Sequence, residues 1–140
     1  MSDTDAARWR EDRREAAHAH AEALRRRRES ESTQARAMIA EFLAHAREHG
    51  PEPEPLRVRT YDGRARYRTP LLGWYLRFDE TVAIDTDGEF YVLRTPPSVV
   101  GRLRGVRPEP SDPPLVIGAG GKDGESIDMK DALARLRTGS

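Results

Sequence analysis

The sequence predicts an α+β domain: a small antiparallel β-meander of about five strands, packed on a long N-terminal helix and a short C-terminal helix. Three observations lead there. Residues 5–49 contain no Pro and no Gly and are rich in Ala, Arg and Glu, a composition that favours helix. Residues 56–94 alternate large apolar and polar side chains between turn signals, the period of a half-buried strand. At 140 residues the chain is long enough for one core and too short for a second full-sized one.

The long helix ends at Gly50-Pro51, a helix-stop pair. Its second half carries Ala35, Met38, Ile39, Phe42, Leu43 and Ala46 on one stripe, so residues 35–49 should dock on the rest of the protein. The first half has only Trp9 and Leu24 as large apolar residues between positions 5 and 34. Residues 1–34 are therefore read as a charged helical arm and 35–140 as the domain. A helix of some 45 residues would run ~68 Å, against ~30 Å for a globule built from the remainder. The arm either projects, breaks at Glu29–Thr33 where helix propensity is weakest, or has a frayed start.

Pro51, Pro53 and Pro55 make 51–55 an extended linker. In the meander, Leu56–Tyr61 and Arg64–Arg68 flank Asp62-Gly63, a strong hairpin signal. Leu72–Phe78 follows, with Leu72, Trp74, Leu76 and Phe78 on one face. Val82–Asp85 and Glu89–Arg94 surround a second turn ending in Gly88. Ser98–Leu103 reads as one helical turn, 107–114 as a Pro-rich loop, Leu115–Ile117 as a short strand, and 128–138 as a helix with Asp128 at its N-cap. The expected core joins Met38, Ile39, Phe42 and Leu43 to Trp74, Leu76, Phe78, Val82, Ile84, Phe90, Val92, Leu115, Ile117, Leu133 and Leu136.

Charge is neutral overall, with 24 basic and 24 acidic side chains, but it is blocky. Residues 56–78 hold six Arg against one Asp, and 79–93 hold five acids and no base. Cysteine is absent, which excludes a disulfide scaffold, a Cys-ligated metal and thiol catalysis. No apolar run approaches the ~20 residues of a membrane helix, and the N-terminus lacks a signal-like apolar stretch. A cytoplasmic protein with no membrane contact is the expectation.

The main functional candidate is the Asp62-Gly63 hairpin. A two-residue turn puts Arg57, Arg59, Arg64, Arg66 and Arg68 on one face with Tyr61, and Val58, Thr60, Ala65 and Tyr67 on the other. Like charges opposite each other destabilise a strand pair, so something negative should lie close. It is either an external anion or this chain's own Asp85, Asp87 and Glu89. The expected function is a non-enzymatic binding or adaptor protein contacting an anionic or protein partner through this face and the arm. Self-association along a thin seam of Trp9, Ala16, Ala23 and Leu24 is one version, and nucleic acid is a possible partner.

A secondary candidate is the Gly-rich loop 118–126, where Gly120, Gly121 and Lys122 would meet a phosphate in a small nucleotide-binding protein or enzyme. The loop departs from the P-loop pattern, because Lys122 precedes Asp123 instead of Ser or Thr. His45 and His49 are spaced for a metal but lack the HExxH arrangement, and Asp85-x-Asp87-Gly88 lacks the remaining ligands of a calcium loop. No catalytic residue, metal or cofactor is assigned.

Overall fold

A computed structural model describes residues 2–118 and 126–139. The chain runs α1 (Asp3–His49), β1 (Glu54–Thr60), β2 (Arg66–Tyr75), β3 (Val82–Asp85), β4 (Phe90–Val92), β5 (Arg94–Thr95), α2 (Val99–Arg104), β6 (Val116–Ile117), β7 (Ile127–Asp128) and α3 (Met129–Thr138). The fold is α+β, with a mixed, mostly antiparallel five-stranded sheet and a two-stranded β6–β7 pair.

Of the three alternatives for the long helix, the unbroken, projecting one is observed. The Ser2 hydroxyl caps the first turn by accepting the Asp5 amide, with Asp3 and Asp5 near the positive end of the helix dipole. Arg14–Glu11 and Arg25–Glu22 ion pairs, and Arg13 stacked 4.6 Å over Trp9, support the exposed stretch. The Ser/Thr segment stays helical, with its hydroxyls bonded within the helix, Thr33 Oγ1 donating to the Glu29 carbonyl at 2.9 Å. Burial begins only at Ser32 and continues through Ala35, Ile39, Phe42 and Leu43.

That stripe packs with Met129, Ala132 and Leu133 of α3 against Trp74, Leu76, Val82, Ile84 and Phe90 of the sheet. Phe42 meets Trp74 edge-on, with ring centroids 5.1 Å apart, and the Trp74 indole N–H donates to the Pro51 carbonyl at 2.9 Å. The polar tip of the indole is thereby satisfied at the edge of the core.

The sheet departs from a simple meander in two ways. First, Arg64–Arg68 and Leu72–Phe78 are not separate strands: β2 runs through both, with a register shift against β1 between Pro55 and Arg57. Pro70 cannot donate to a ladder, and Thr69 takes over there, its hydroxyl donating to the Leu56 carbonyl and accepting the Leu71 amide. Second, the strand order is β4-β3-β2-β1-β5, and β5 is parallel to β1. Leu93 alone separates β4 from β5, so the two ends of that order are one continuous stretch. The Leu93 amide donates to Thr81 while its carbonyl accepts from Arg59. The sheet therefore curls back on itself at Leu93, which joins the β3 side to β1.

Closure gives the sheet an inside. Leu56, Val58, Ala83, Tyr91 and Leu93 form a second cluster there, with Leu71, Tyr75 and Val106 against it. Gly73 lets β2 and β3 approach, since a Cβ built there would lie 2.0 Å from the Ile84 carbonyl oxygen. Phe78 and Val92, expected in the core, are 79% and 50% exposed. Phe78 sits in the turn joining β2 to β3, where the Arg135 guanidinium stacks 4.0 Å over its ring. Asp128 occupies the α3 N-cap position but makes no side-chain cap bond.

Candidate functional site

The hairpin register pairs Arg57 with Arg68, Val58 with Tyr67 and Arg59 with Arg66. Because Val58, Thr60 and Tyr67 are buried, the guanidiniums of Arg57, Arg59, Arg66 and Arg68 stand on the outer face of the closed sheet. The turn is stitched by side chains: the Thr60 hydroxyl donates to Asp62 at 2.6 Å, and the Arg64 amide donates to the same carboxylate at 2.9 Å. The Thr60 hydroxyl, the Arg64 amide and the Arg64 charge together hold the Asp62 carboxyl below its ordinary value.

The internal counter-charges are not the expected ones. Asp85 is buried and serves its own turn, accepting the amides of Asp87 and Glu89 and the Tyr91 hydroxyl at 3.0 Å. It points to the interior, away from the arginines. Burial first, then the hydrogen bond to Asp85, pushes the Tyr91 phenol up to about 12. Asp79 and Glu80, in the β2–β3 turn, face the arginines as direct ion-pair partners, while Asp62 and Asp112 also line a groove beside Arg59. Glu80 pairs with Arg66 at 2.9 Å, and Asp79 lies 3.6 Å from Arg77. Burial raises the Asp79 carboxyl, but Thr81, through its hydroxyl and amide, outweighs that together with Arg77 and Arg59, and holds it below its ordinary value.

Asp79 and Glu80 leave the face incompletely matched. Arg68 turns its guanidinium to the Leu103 carbonyl at 3.1 Å, and Arg94 stacks 5.2 Å from the Tyr61 ring centroid. Arg57, Arg59, Arg64, Arg68 and Arg94 form no ion pair among the described residues. Arg59 stands out further: its Nε is buried and has no hydrogen-bond partner among them.

Arg59 lines an open groove of about 600 Å³ where the β4–β5 stretch passes from pairing with β3 to pairing with β1. Tyr61, Arg77, Asp79 and Arg94 share its rim, and Phe90, Val92 and Ile117 give it an apolar floor. A second groove, of about 1060 Å³, separates the base of the arm (Arg25, Arg28, Arg36) from residues 112–118. The Arg36–Asp112 pair at 2.8 Å spans it.

Sequence reasoning missed Arg77 and Arg94. Each sits outside the hairpin, and only the sheet closure brings them beside Arg59; no local pattern signals that closure. Gly120, Gly121 and Lys122 lie outside the described residues. Among the described residues no cluster of His, Asp and Glu could hold a metal ion, and no helix is long and apolar enough to cross a membrane. No family model matches the chain, and no curated protein or solved structure matches it significantly.

Proposed function

We propose that the protein is a non-enzymatic binding module that engages an anionic partner through its arginine-bearing outer face. The carrying observation is Arg59, whose buried Nε has no partner at the rim of the groove. A buried donor left unpaired costs about 1–3 kcal/mol, and an arriving acceptor removes that cost. The fork of a guanidinium suits carboxylate or phosphate, and Tyr61 with Arg94 supplies a second cationic, aromatic contact. The arm contributes Arg25 and Arg28 next to the second groove.

Fluorescence anisotropy with labelled poly-L-glutamate tests the reading, with a labelled single-stranded oligonucleotide as the comparison ligand. The expected result is binding to poly-L-glutamate that weakens with salt and falls roughly tenfold in Arg59→Gln, the loss of one charge-assisted hydrogen bond. Absence of binding to both polymers at low salt refutes it. Preference for the oligonucleotide, with affinity falling steeply as salt rises, moves the partner to nucleic acid.

A further inference from the structure

α2 is built in reverse of an ordinary amphipathic helix. Gly101, with no side chain, is the residue it buries, and a Cβ there would lie 2.9 Å from the Tyr67 ring. Its bulky apolar residues face out: Val99, Val100 and Leu103 are 76%, 62% and 70% exposed. Nothing in the core needs these side chains, and a contiguous exposed apolar patch marks an interaction site.

The sequence that carries the patch is basic. Residues 90–108 contain four arginines and no carboxylate. Arg102 and Arg104 are exposed beside Leu103, and the bond from Arg68 to the Leu103 carbonyl brings the hairpin face to the end of the helix. None of these three forms an ion pair among the described residues.

We infer that α2 and the adjoining arginines dock on an anionic lipid surface, with Val99, Val100 and Leu103 entering the headgroup region. The inference rests on reading the arginine face as an anion-contacting surface, and names the anion. Three side chains this exposed protrude instead of lining a cleft. An apolar tip flanked by guanidiniums fits a soft, negatively charged interface without needing a shaped pocket. Spanning the bilayer is no part of this; the contact is peripheral.

The test is co-sedimentation of the full chain with phosphatidylserine–phosphatidylcholine vesicles and with pure phosphatidylcholine vesicles. The expected result is salt-sensitive partition onto the first and none onto the second. Arg102→Gln and Arg104→Gln should each lower partition about fivefold, and Leu103→Asp should lower it more than about tenfold. As a surface change, Leu103→Asp should leave the thermal melt unaltered. No partition at low salt overturns the inference, as does a Leu103→Asp variant that sediments like the parent. So does a lipid-free dimer that Leu103→Asp dissociates, which would assign the patch to a second copy. Poly-L-glutamate binding without vesicle binding removes the bilayer and leaves the arginine reading standing; loss of both removes both.

Discussion

Replacing Arg59 with Met separates what this side chain does for the fold from what it does for a partner. Met keeps most of the aliphatic stem and removes the buried Nε that lacks a partner. Relief of an unpaired buried donor is worth about 1–3 kcal/mol. Against this stands the attraction between Arg59 and Asp79, a carboxylate with a 43% exposed side chain that Arg77 already serves; solvent screening holds such a contact to about 1 kcal/mol or less. The balance is a gain of roughly 1 kcal/mol, or a rise in Tm of about 3 °C for a chain of this size. Asp79 loses one of the charges holding its carboxyl down. Its contribution, present above the unfolded carboxylate value and lost as pH falls through the folded one, then shrinks slightly, so acid unfolding begins at a slightly higher pH. Urea melts followed by circular dichroism measure the stability, and poly-L-glutamate anisotropy measures the binding. Arg59→Met should be more stable and bind worse. A loss of more than about 1 kcal/mol would refute the argument, because the guanidinium would then be holding the groove together.

Three other outcomes follow from the packing. Gly73→Ala forces a Cβ to within 2.0 Å of the Ile84 carbonyl oxygen; since backbone must yield, a loss above about 3 kcal/mol is expected in urea denaturation. Ala17→Pro, in the exposed arm, should lower helical ellipticity while leaving the urea midpoint of the domain unchanged, because burial along α1 starts at Ser32; a shifted midpoint would mean the arm is coupled to the core. Tyr91, with its phenol pushed up to about 12, should give an ionisation step near that pH in an absorbance titration, and Tyr91→Phe should delete that step. Because the folded value lies above the unfolded one near 10, the Tyr91 contribution of roughly 2–3 kcal/mol is intact below pH ~10 and lost as pH rises toward 12.

The helices and the hairpin were legible because their signals are local. Helical spacing from Ala35 to Ala46 marked the docking stripe, and Asp62-Gly63 fixed a register in which Arg57 does face Arg68. Leu56, Val58, Tyr91 and Leu93 escaped the expected core for a different reason. A meander with one covered face assigns one set of alternating residues to solvent, whereas closure buries both sets over much of the sheet. The contacts that close it join Leu93 to Thr81 on one side and to Arg59 on the other, and such long-range pairing leaves no trace in a window of ten residues. Phe78 was misplaced for the opposite reason: its alternation with Leu76 is sound, but the chain turns before reaching it.

Closure also explains how this chain carries so dense an arginine face without unfolding its hairpin. In an isolated ribbon, Arg57 against Arg68 and Arg59 against Arg66 would each cost stability. Here the opposite side of the same ribbon buries Val58, Thr60 and Tyr67 within the closed sheet, and that burial outweighs the like-charge repulsion across the ribbon. The turn holding Asp79 and Glu80 then matches only part of the positive charge, with Arg66 and Arg77 as direct partners. Burial on one side thus fixes the arginines in place on the other. The backbone that carries the arginines is therefore already ordered, so only their side chains would lose conformational freedom on meeting an anion.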